Sequence, residues 1–260
     1  MIRTTALLVT LLWGGAVLLG NSAVVIAQTT DFRIETDVLE DGHARPVVQT
    51  LTLFQDGIAY DFTRGDEDNC VLVDPQRDRI VLMNSKHQLR TEVSINEMKH
   101  LIESARTQAA GTSLAVFLIG ASKTEVVDGV VKVGDEHLHY QATTQRVSHP
   151  GVATLYQEFA DSMARLNAWA SAGTPPFARL ALNQAVADLN ALPVEIRRSM
   201  KVGGKTLVHI SRLHPTWLLS KSDRLKISEA QKGLVAFTQV DYATFQSRTR
   251  AINNEVASGN

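Results

Sequence analysis

The sequence predicts an α+β fold, a mostly antiparallel sheet covered by helices in one domain. Three observations predict it. Short runs that alternate apolar and polar residues follow one another, separated by Asp-Gly and Gly-Gly pairs. Two capping-box patterns, Ser94 with Glu97 and Ser228 with Gln231, announce helices among those runs. The chain of 260 residues is 44% hydrophobic, the share of a protein with a substantial core.

The elements follow in order. Residues 32–38 alternate in strand period, Asp41-Gly42 supplies a turn, and 47–54 make the next strand. Asp56-Gly57 joins that strand to 58–62, because glycine accepts the positive φ of a tight hairpin. Strands at 71–74 and 79–83 meet through Asp74-Pro75, and 88–93 completes a meander. Ser94 then opens a helix that presents Met98, Leu101, Ile102 and Ala105 on one face and stops near Gly111. Asp128-Gly129 and Gly134-Asp135 punctuate a second β run over 124–127, 130–133 and 137–144. Residues 151–190 form a helical insert, with Leu155, Phe159, Met163 and Leu166 on one stripe. Within it Thr174-Pro175-Pro176 ends one helix and starts another, Thr174 as N-cap, whose apolar face carries Leu180, Ala181, Val186 and Leu189. Gly203-Gly204 turns strand 192–200 into 205–213. Ser228 opens a last helix with Ala230, Leu234 and Phe237 inward. These elements make a single domain over 28–250, followed by a polar tail, 251–260, expected to fray.

The N-terminus reads as a secretory signal peptide over 1–27. Arg3 supplies the charge, an apolar run spans 6–20, and Val25 and Ala27 are the small residues before the cut. That run of 15 residues is shorter than the roughly 20 that a spanning helix needs. Cleavage after Ala27 would place the mature chain in a periplasm or outside the cell, with no membrane span. Losing Arg3 leaves 25 basic against 27 acidic residues, a balance that gives no electrostatic pull toward nucleic acid. The single cysteine, Cys70, excludes an internal disulfide framework and reads as a small buried hydrophobe.

No Gly-x-Ser-x-Gly elbow, Ser-x-x-Lys, His-Glu-x-x-His, phosphate-binding loop or dinucleotide fingerprint occurs. The reading is therefore non-enzymatic, with no catalytic residue, no metal and no cofactor assigned. His137 and His139 share a strand face, but two ligands are not a site. The acidic run Asp66-Glu67-Asp68 follows Gly65 in what reads as a turn and lacks calcium-loop spacing.

Residues 50–62, 71–83 and 192–213, with the signal peptide, meander and mid-chain helix, resemble the LolA-like group of exported proteins. That group includes periplasmic lipoprotein carriers and mycobacterial lipid-binding lipoproteins. The helical insert and the helical C-terminal extension go beyond the group's pattern. The resemblance implies a curved half-barrel sheet with helices closing an apolar cleft. It implies a lipid or lipoprotein acyl chain as ligand, with Leu51, Leu53, Tyr60 and Phe62 lining the cleft. Two alternatives stay open: an envelope structural or interaction domain with a protein partner and no small-molecule ligand, and an enzyme with a dispersed site.

Overall fold

Turn chemistry and alternating burial produce one large sheet in the structure, a computed structural model that describes residues 31–112, 124–149, 151–171 and 175–257. The expected signal peptide and its cleavage point lie outside the described residues. Among those residues, twelve strands lie in the order β12-β6-β5-β4-β3-β2-β1-β11-β10-β9-β8-β7. The first meander is β1 (Phe32–Glu40), β2 (Val48–Gln55), β3 (Ile58–Thr63), β4 (Asp66–Asp74), β5 (Arg79–Asn84) and β6 (Leu89–Ser94). The second set is β7 (Thr124–Val127), β8 (Val130–Gly134), β9 (Leu138–Arg146), β10 (Ala191–Val202) and β11 (Lys205–Thr216). Antiparallel pairing of β1 with β11 joins the two sets into one curved, open sheet. The acidic run that reads as a turn is extended instead: Asp66 begins β4, and the turn stays at Arg64 and Gly65.

Strand period gives this sheet two faces, and each has its own cover. On one face Phe32, Ile34, Phe54, Ala59, Val73 and Ile80 meet Val131, Val133, Tyr140, Ala142 and Ile196. Helices α1 (Ile95–Ala109), α2 (Val152–Ser171) and α3 (Phe177–Asp188) cover that face. Phe32 and Phe54 stack with ring centroids 4.1 Å apart, and Phe159 of α2 meets Phe54 edge-on at 5.6 Å. The opposite face carries Leu53, Tyr60, Cys70, Leu72, Val81 and Met83, packed against Leu219, Ile227 and Ala230. Its cover is helix α4 (Lys221–Ala236). A two-residue strand, β12 (Thr238–Gln239), then pairs parallel with β6, and α5 (Tyr242–Ala257) extends helix into the polar tail.

Local signals explain most helix starts and correct three expectations. Ser94 caps α1 by accepting from the Glu97 amide at 3.1 Å, while the Asp78 carboxylate accepts from the Asn96 amide at 2.9 Å. The buried face of α1 is Ile95, Met98 and Ile102, and Leu101 is exposed, because the sheet meets only a narrow stripe of the helix. Helix α4 starts at Lys221, not after Ser228. Ser220 and Asp223 form its capping box, and Ser228 falls in the helix interior. Helix α3 has Pro176 at its N-cap with no side-chain cap bond, in place of the expected Thr174, which lies outside the described residues.

Candidate functional site

A cavity of about 520 Å³ opens between the β9–β10 floor and the α2–α3 roof. It falls in the size range of small-molecule pockets, roughly 300–1,000 Å³. The floor is Tyr140 of β9 and its cross-strand neighbour Arg198 of β10. One wall is a stripe of α2: Tyr156, Phe159, Ala160, Met163, Ala164 and Asn167, spaced three and four apart as one helix face requires. Pro175, Pro176 and Arg179 bring the start of α3 to the rim. The two alanines make room, since bulky residues there would fill the space between roof and floor. No carboxylate, imidazole or thiol is among the described side chains that line the cavity.

Hydrogen bonds set both arginines. Arg179 donates through Nε to Asn183 Oδ1 at 2.9 Å, and Asn183 donates in turn to Asp161 Oδ1 at 2.8 Å. The Tyr156 hydroxyl also accepts from Arg179. Burial pushes the Tyr156 pKa above its ordinary value, with Arg179 partly opposing, so the phenol stays neutral. Arg198 lies 3.1 Å from His209 Nδ1. Burial and then the Arg198 charge hold the His209 pKa below its ordinary value, against a smaller pull from Glu40. The imidazole is therefore neutral near pH 7, and its Nδ1 accepts from the guanidinium.

The residues expected from the sequence lie elsewhere. Leu51, Leu53, Tyr60 and Phe62 do share one sheet face, paired Leu53 with Tyr60 and Leu51 with Phe62. That face is the one beneath α4. Leu53 and Tyr60 are fully buried there, the Tyr60 hydroxyl accepts from Gln231 Nε2 at 3.1 Å, and Lys226 sits 5.5 Å over the Phe62 ring. His137 Nδ1 is 3.9 Å from Asp135 Oδ1, and His139 faces away from the helices α1 to α3. Among the described residues, no group of three or more His, Cys, Asp or Glu side chains is arranged to hold a metal ion.

Sequence reasoning missed both cavity arginines, although each carried a signal. Arg198 stands between Ile196 and Met200 in strand period, a cation at an inward position. Asn183 is buried on the apolar stripe of α3 and marks Arg179 one turn before it.

Fold and cavity together define the class: an α+β protein with an open antiparallel sheet and a helix-roofed pocket on one face. No protein-family model and no curated protein sequence matches the chain. Among solved structures it is similar to a LolA superfamily protein from Nitrosomonas europaea. That match has 7% identity and a TM-score of 0.30, over 75% of this chain and 89% of the other. It is a distant likeness of fold.

Proposed function

We propose that the protein is exported and binds the acyl chain of a lipid or lipoprotein, without catalysis, in the cavity between β9–β10 and α2–α3. The observation that carries this reading is the α2 stripe of Phe159, Ala160, Met163 and Ala164 lining an unfilled cavity of about 520 Å³. Each buried methylene contributes about 0.8 kcal/mol, so a chain of eight gains roughly 6 kcal/mol before ordering costs.

The test is extraction of the purified full chain with organic solvent, followed by mass spectrometry and by titration of the delipidated protein with a pyrene-labelled acyl probe. Co-purifying lipid and saturable binding are expected, and Ala164→Trp, which fills the cavity, lowers probe affinity at least about tenfold. Circular dichroism checks that the variant is folded. Absence of lipid together with absence of probe binding would end this reading and favour an interaction domain.

A further inference from the structure

We infer that the ligand carries an oxyanion head, a carboxylate or a phosphate, held between Arg179 and Arg198. This inference rests on the acyl-chain reading of the same cavity and names its ligand class.

Several arginines elsewhere in the fold are matched by carboxylates: Arg33 with Asp223, Arg77 and Arg79 with Asp74, Arg165 with Asp161, Arg212 with Glu195. Among the described residues, neither Arg179 nor Arg198 is ion-paired. Arg179 meets Asp161 through the amide of Asn183 and, beyond ion-pair distance, through its charge, and the partner of Arg198 is a neutral imidazole. Both are partly buried and line one cavity whose other walls, Asn167 apart, are apolar or aromatic. Arg198 has no ion pair among the described residues and Arg179 has only the longer-range charge of Asp161, so both are costly to desolvate, and an anion between them lowers that cost.

The neighbours aim the guanidinium groups. With Nε committed to Asn183, Arg179 is held by its shaft. Arg198 is clamped in the sheet between Tyr140 and His209 by cross-strand pairing. Helix α3 begins at the same rim without a side-chain cap, so its N-terminal dipole adds positive potential there. Planar guanidinium groups suit the paired oxygens of carboxylate and phosphate. The acyl tail then lies along the alanines of α2, away from the charges.

The test uses the delipidated full chain at pH 8 and displacement of a neutral pyrene-labelled acyl probe. Competitors are hexadecanoate, hexadecanoyl lysophosphatidate and hexadecanol, which share one tail length. Both anions are expected to bind at least about tenfold tighter than the alcohol, with a preference that shrinks as salt rises. Arg179→Gln with Arg198→Gln abolishes that preference and its dependence on salt, whereas the Arg→Lys pair keeps most of it. The salt-sensitive preference of the unaltered protein stands as a test even if the double glutamine variant does not fold. Hexadecanoate against lysophosphatidate tells the two heads apart. Equal binding of hexadecanol and both anions overturns the anion inference and leaves the acyl reading in place. Failure of all three to displace the probe overturns both.

Discussion

Arg33 grips Asp223 with one nitrogen, at 3.1 and 3.0 Å from the two carboxylate oxygens, and so ties the first strand of the sheet to the start of α4. The same carboxylate accepts from the Ser220 amide at 2.8 Å to close the capping box. One side chain thus serves as helix cap and as the counter-charge of a partly buried cation.

Asp223→Ala removes both roles at once and is expected to cost about 2–4 kcal/mol. Burial acts to raise the Asp223 pKa, but the bonds from Ser220 and the Arg33 charge outweigh it, and the carboxyl sits below its ordinary value. A depressed value means the stabilisation is present above the unfolded pKa and is lost as pH falls through the folded one. Urea unfolding of parent and variant should therefore differ most near neutral pH and converge in acid.

Asp61 carries the opposite sign. It stands on the face of β3 turned toward α1 to α3, where burial pushes its carboxyl from 3.8 up to about 6, although Thr52 donates to it at 2.7 Å. The folded state binds this proton more tightly, so its contribution is intact below the unfolded value and is lost as pH rises through 6. Asp61→Asn is expected to stabilise the protein by about 2 kcal/mol at pH 7, with the gain vanishing toward pH 4. A flat difference across that pH range in chemical denaturation would contradict the assignment.

Gly134 closes the β8–β9 turn at φ 117°, and an added Cβ would lie 2.1 Å from the Leu138 carbonyl oxygen. Backbone cannot yield as a flexible side chain does. Gly134→Ala is expected to cost about 2 kcal/mol or more, read as a lowered midpoint in thermal unfolding.

Cys70 is buried under α4, and burial, with Asp61 adding and Lys226 opposing, pushes its thiol far above the ordinary range. Iodoacetamide at pH 8 is expected to leave the native protein unlabelled and to modify it fully in denaturant, as mass spectrometry would show.

The meander was legible because its turns are written in short-range chemistry. Asp56-Gly57, Asp128-Gly129 and Gly203-Gly204 all turn the chain as expected, with positive φ at each glycine. What alternation cannot tell is which side of a sheet a set of residues faces when both sides are apolar. Leu53 and Tyr60 fall together as the period requires, yet they meet α4 and not the cavity roof. Ser220 and Ser228 both begin plausible helix caps, and the choice came from outside the segment, through Arg33. The cavity itself arises from Ala160 and Ala164 of α2 facing Tyr140 and Arg198 of β9 and β10, a long-range juxtaposition that no local pattern announces.

The two residues of β12 have an effect out of proportion to their number. Thr238 and Val240 donate to the carbonyls of Gln88 and Arg90, each at 2.9 Å, and so occupy the outer rim of β6. A strand from another molecule seeking that rim would first have to peel away the chain's own return segment. The return segment thereby covers the Leu89–Arg90 end of this border, one of the ways by which a sheet edge is kept from pairing with another chain.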